Sequence, residues 1–207
     1  SGDFAPAAAG QGKWPKAHGL LTVPFTPPLP LINRFSLKAF NTFYARKPEG
    51  RFLTHYEPFF YPLDAIGYWN RIYGPKGFLQ YQCVLPPEVA ESALTELLAR
   101  IARSGQGSFL AVLKRFGDKP SLGMLSFPRP GVTIALDFPM RGAKTLRLMD
   151  ELDEVVAEAG GVLYPAKDAR MSNRLFKFSF RCYNRILPFI DNIFISDFGK
   201  RVNLRVG

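Results

Sequence analysis

Gly77-Phe78-Leu79-Gln80-Tyr81-Gln82-Cys83-Val84-Leu85 (GFLQYQCVL), followed at once by Pro86-Pro87, decides the fold. The nine residues alternate and are rich in aromatic and branched side chains, which predicts a strand. Beyond Pro87, which suits a first helical turn, Val89, Ala90, Ala93, Leu94, Leu97, Leu98 and Ile101 recur with a 3.6-residue period. Gly105 is placed to stop that helix. Ser108–Phe116 reads as β-like, as does Val132–Phe138 after the turn at 128–131. A second amphipathic helix carries Leu146, Met149, Leu152, Val155, Val156 and Ala159, and ends at Gly160-Gly161. Val162–Tyr164 supplies a short last strand. The order βαββαβ predicts an α+β, ferredoxin-like antiparallel sheet with its helices on one face.

The flanks are of a different kind. Residues 1–19 are rich in Ala, Gly and Pro and read as a linker. From Leu20 to Tyr73 the chain is dense in Pro and aromatics without a period, too apolar for a disordered tail. It is expected to be a long irregular strap that packs on other elements. After Lys167-Asp168 a third helix is expected, capped by Ser172, with Arg174, Lys177, Arg181 and Arg185 lining one face. The division expected is thus 1–19, 20–165 and a C-terminal helical segment, 166–207.

At 47% hydrophobic and 21% charged residues the 207-residue chain reads as folded. Its net charge of +10 is uneven, since Ala166–Gly207 holds nine Lys/Arg against three Asp/Glu. Such a field favours phosphates, nucleic acid, anionic lipid or an acidic partner domain. Cys83 and Cys182 are expected to be buried thiols rather than a disulfide. No apolar run is long enough to cross a membrane as a helix. Ser1-Gly2-Asp3-Phe4 does not open a secretory signal, which leaves the compartment of a longer parent open. A cytoplasmic or membrane-associated location is expected.

Several chemistries find no support. The two histidines, His18 and His55, are far apart, and no Cys/His/carboxylate cluster has metal-ligand spacing. There is no nucleophile elbow, Walker loop or dinucleotide glycine motif. Ser104-Gly105-Gln106-Gly107-Ser108 joins a helix to a strand and reads as a turn. What remains is a set of polar residues on apolar strands. Gln80 and Gln82 share one sheet face by alternation, and Lys114 is expected on a neighbouring strand. Amides and an ammonium suit hydroxyl recognition, as on a sugar; the plainer alternative is a solvated face. Lys167 follows the apolar stretch 162–166 at a strand end. It could hold a reacting hydroxyl, or be a surface lysine paired with Asp168.

These residues fall in a longer ordered pattern: Leu21–Pro24, Tyr61-Pro62-Leu63-Asp64, Trp69-Asn70-Arg71, Tyr73–Gln82, Ser108–Leu110, Lys114, Leu125–Pro128, Asp137-Phe138-Pro139, Gly160-Gly161 and Leu163–Arg170. The set resembles the C-terminal half of the decaprenylphosphoryl-ribose 2′-oxidase family, within the vanillyl-alcohol-oxidase-like FAD-linked oxidases. The resemblance implies that residues 20–165 are a substrate-binding cap domain and that 166–207 pack on an FAD-binding domain. It implies oxidation of a sugar ring hydroxyl to a ketone. Lys167 would be catalytic, Tyr164 and Lys167 would touch the flavin, and Gln80, Gln82, Lys114 and Arg71 would line the substrate side. FAD would be held mainly by a domain outside these residues, so the segment alone would be inactive. A lipid-linked or small sugar, a short-chain reductase and a peripheral membrane contact are the implied partners. The chain departs from the pattern at Thr133 and Ala135, where the family has Asn and Cys, and at Phe60-Tyr61. Substrate identity is the property those departures bear on.

A basic ferredoxin-like module that binds RNA is the competing class. Lys76-Gly77-Phe78-Leu79-Gln80-Tyr81 resembles the start of an RNA-binding strand motif whose aromatics stack bases. That motif belongs on the third strand of its fold, however, and Gln80 sits where a stacking aromatic is needed.

Overall fold

The computed structural model describes residues 21–46, 61, 66–167 and 170–204. The linker 1–19, the Pro62-Leu63-Asp64 motif, Asp168-Ala169 and both histidines lie outside the described residues. Among the described residues, six strands and five α-helices are formed: β1 (Leu21–Thr22), α1 (Arg34–Ala45), β2 (Ile66–Gly67), β3 (Phe78–Leu85), α2 (Ala90–Ser104), β4 (Ala111–Phe116), β5 (Gly131–Pro139), α3 (Ala143–Glu158), β6 (Val162–Leu163), α4 (Asn173–Ser179) and α5 (Asp197–Arg201).

β3 to β6 form one four-stranded sheet in the order β4-β5-β3-β6, every neighbouring pair antiparallel. With α2 and α3 as crossovers, this is the ferredoxin-like α+β topology expected from the pattern. One expectation built on it is corrected. β5 lies between β3 and β4, so Lys114 is two strands from the glutamines rather than on a neighbouring one. The split βαβ order inserts the third strand of the motif between the first two, a step that local alternation does not encode.

The two faces of β3 divide the molecule. Tyr81, Cys83 and Leu85 point to the helices, where they meet Leu97 and Ile101 of α2 and Leu148, Leu152 and Val156 of α3. Gly105 ends α2 in the left-handed region, at φ 66°. Phe78, Gln80, Gln82 and Val84 point to the other face. One end of that face is roofed by Phe127, which stacks on Tyr164 with centroids 4.5 Å apart. The other end is roofed by the strap, whose 3-10 turn Trp69–Tyr73 lays Tyr73 on Phe78 at 4.4 Å.

Core packing is continuous across the division expected at 165/166. Met171, Leu175, Phe176, Phe180, Val202 and Leu204 join the same buried cluster as the sheet. Ser172 caps α4 as expected, accepting from the Leu175 N–H. The long basic face is not formed, however. α4 ends at Ser179, and Phe180 takes φ −126°, ψ 72° and turns into the core. Arg129 Nη1 donates to the Ser179 carbonyl, and short 3-10 turns at Tyr183–Arg185 and Leu187–Phe189 follow. Arg174 and Lys177 therefore share a helix, while Arg181 and Arg185 lie beyond its end. Burying Phe180 outweighs one more turn of helix. Cys182 sits in this irregular stretch and is exposed, which corrects the expectation of two buried thiols; Cys83 is buried.

Candidate functional site

The site is set by how short β6 is. It pairs only Cys83 and Val84 of β3, so the edge of Leu79–Gln82 is left without a strand partner. The chain covers that edge with a turn instead. The Tyr164 N–H donates to the Gln82 carbonyl at 2.9 Å, and the Lys167 N–H to the Tyr164 carbonyl at 3.1 Å. Leu79, Gln80, Tyr81, Gln82, Met149, Leu163, Tyr164, Lys167 and Arg170 line a small cleft there, with a volume of about 20 Å³. That is room for one water-sized group.

The turn is pinned at its far end. Arg170 Nη1 donates to Asp150 Oδ1 and Asp153 Oδ2 of α3, each at 2.8 Å. Burial disfavours the Arg170 charge, but the two carboxylates outweigh it and its pKa is raised. Burial pushes the Asp153 carboxyl upward, against the hydrogen bond and charge of Arg170. Tyr81, beneath β3, is held well above its usual range by burial, with Cys83 and Asp153 adding to it.

Of the residues singled out in the sequence, Gln80, Gln82, Tyr164 and Lys167 are brought together. Gln80 and Gln82 are half-buried on the open sheet face, and Gln82 Nε2 donates to Thr133 Oγ1 at 3.3 Å. Lys167 is exposed at the sheet edge. Lys114 shares the face, in register with Thr133, exposed and about 10 Å from β3 by strand spacing. Arg71 is placed elsewhere. Its Nη1 donates to the Val23 and Pro24 carbonyls at 2.9 and 2.8 Å, and its guanidinium lies over Tyr68. Through these contacts it ties the strap together.

Asp137 was not singled out from the sequence. It sits directly opposite Gln80 in the β3–β5 ladder, is 1% exposed, and neither carboxylate oxygen completes a hydrogen bond. Burial raises its pKa, while the Gln80 amide and the Lys167 charge work to lower it. Its N–H donates to Ser108 Oγ at 2.9 Å, where the β4 ladder has ended. The sequence signal was present: a lone carboxylate inside an apolar strand.

For the RNA-binding alternative, Phe78 would have to be open to a base. It is already stacked under Tyr73, with Trp69 at 5.6 Å on another side.

Fold and site together define a ferredoxin-like α+β module whose polar sheet face is bordered by a lysine. By sequence the chain is related to a decaprenylphosphoryl-beta-D-ribose oxidase of Mycolicibacterium smegmatis, 39% identical over 199 residues. The match takes in 91% of this chain and 42% of that protein's length. A Streptomyces coelicolor protein known only as an uncharacterized protein in the mprA 5′ region is 34% identical over 134 residues, 62% of this chain and 36% of its own length. No family model matches. The chain therefore spans less than half the length of the curated relatives it matches.

Proposed function

We propose that this chain is the substrate-binding portion of an FAD-dependent oxidoreductase that oxidises a sugar ring hydroxyl to a ketone, with a polyprenyl-phosphate pentose as substrate. The observation that carries the proposal is the gathering of Gln80, Gln82 and Lys167 at one open sheet edge in a chain 39% identical to an oxidase named for such a substrate. The glutamines would bind ring hydroxyls, and Lys167 would hold the reacting one. Lys114, farther along the same face, would meet charge at the phosphate end. FAD, bound mainly by a domain outside this chain, would supply the hydride acceptor. The exposed Lys167 and the adjoining Tyr164 suit contact with the edge of such a group. A short-chain reductase would act on the keto product, and the basic C-terminal segment would meet that domain or a membrane surface.

The test is anaerobic reduction of the full-length flavoprotein by decaprenylphosphoryl-ribose, followed by loss of oxidised-flavin absorbance. Wild-type protein is expected to be reduced, and Lys167→Ala to bind FAD but reduce at least about 100-fold more slowly. Full-length protein without flavin, or Lys167→Ala reduced at the normal rate, would overturn the assignment.

A further inference from the structure

The buried carboxylate on the site's sheet face completes no hydrogen bond of ordinary geometry, yet it lies across the ladder from the Gln80 amide. Asp137 is 1% exposed, both oxygens are unbonded, and its side chain points to the same face as Gln80 and Gln82. The face is closed over it by the strap turn that carries Tyr73, whose own pKa is raised by burial and by the Asp137 charge. A group so enclosed does not itself reach a ligand. It acts on what lies beside it.

The neighbour is Gln80, directly across the ladder. An ionised carboxylate has only acceptors, so an amide beside it must turn its NH2 inward. The amide carbonyl then faces away, toward the ligand side. Gln82, which stands opposite Ala135, gives its NH2 diagonally to Thr133 Oγ1 at 3.3 Å. Burial works against the ionised form of Asp137 and raises its pKa, while the Gln80 amide and the Lys167 charge work in its favour.

We infer that Asp137 and Thr133 are positioning residues that orient the Gln80 and Gln82 amides so that both carbonyl oxygens face the ligand. The face then reads hydroxyl donors rather than acceptors, which selects a polyol edge such as neighbouring ring hydroxyls of a sugar. This rests on the proposed function for the ligand class, but the orientation of Gln80 does not.

The experiment therefore has two arms, both on the full-length protein. In the first, the Gln80 side-chain amide protons are observed by NMR with selectively labelled glutamine and assigned by their loss in Gln80→Ala. In Asp137→Asn these signals are expected to shift and exchange faster. Unmoved signals would overturn the inference, whatever the enzyme's activity. In the second arm, KM and kcat for decaprenylphosphoryl-ribose are measured for Asp137→Asn, Gln80→Ala and the double variant. Each single change is expected to raise KM roughly three- to tenfold, the worth of one misplaced hydrogen bond, at unchanged FAD content. The double variant is expected to be no worse than Gln80→Ala, because Asp137 acts through Gln80. Additive losses, or a fall in melting temperature for Asp137→Asn, would show a structural carboxylate and overturn it. Absence of wild-type flavin reduction would instead sink the proposed function, with the first arm still deciding the orientation.

Discussion

Arg170→Met is the substitution for which the structure yields the fullest expectation. The guanidinium is 18% exposed and bridges two carboxylates of unequal standing, Asp153 at 13% and Asp150 at 66% exposure. The exposed pair is worth about 0–1 kcal/mol. The inner pair is another matter, since removing one partner of a buried pair costs about 3–5 kcal/mol, chiefly for the charge left behind. Residual exposure on both sides lowers that to roughly 2–4 kcal/mol. Asp153 also has an escape, for it can take up a proton and cap the loss.

That escape gives the prediction a pH signature. Burial already holds the folded-state pKa of Asp153 above its usual value. A carboxyl raised in this way favours the folded state below its unfolded pKa and loses that contribution as pH rises to the folded one. Removing Arg170 raises the folded value further, so the loss continues to higher pH. The deficit of Arg170→Met should therefore be larger at about pH 8 than at about pH 5. Urea unfolding of the wild type, Arg170→Met and the Arg170→Met/Asp153→Leu double variant measures it. The double variant should recover part of the loss, because no charge is then stranded. A deficit under about 1 kcal/mol, or one that does not change with pH, would show that water already solvates the clamp.

Two further outcomes follow from burial and charge. Cys182 should react with a thiol reagent in the native protein, whereas Cys83, buried and with its pKa pushed up to about 12, should react only on unfolding. Fast native labelling of both thiols would contradict this packing. Arg181→Glu/Arg185→Glu should weaken binding to anionic vesicles by about 1 kcal/mol per charge at low salt, with the difference fading as salt is raised. Equal binding by the wild type would leave these arginines as a solvated surface.

The order and type of the core elements were legible because each rests on a local period. Alternation marks β3 and β5, and the 3.6-residue stripes mark α2 and α3. What was not legible depended on partners distant in sequence. The place of Lys114 follows from strand order, which no local pattern carries. The break after Ser179 depends on Phe180 finding the core and Arg129 taking a carbonyl 50 residues away. Arg71 is assigned to the substrate side by the resemblance alone, and no local pattern signals that its Nη1 donates to the Val23 and Pro24 carbonyls. Asp137 is visible in the sequence as a carboxylate in an apolar run, but its register against Gln80 is not.

The two polar groupings around β3 have one structural cause. A longer β6 would pair the edge of Leu79–Gln82 and seal it with ladder hydrogen bonds. Instead β6 stops after Leu163, and the next residues must leave the sheet while still covering its edge. The Tyr164–Lys167 turn does this with a single ladder-like bond to Gln82, which alone would let it fray. Arg170 supplies the second anchor from the helix side through Asp150 and Asp153. Lys167 is thus held between two fixed points, with its side chain at the edge that carries Gln80, Gln82 and, behind them, Asp137. Extending β6 by sequence design, or releasing Arg170, should disturb the same cleft in opposite ways. The first would fill it with backbone, and the second would leave it open but unplaced.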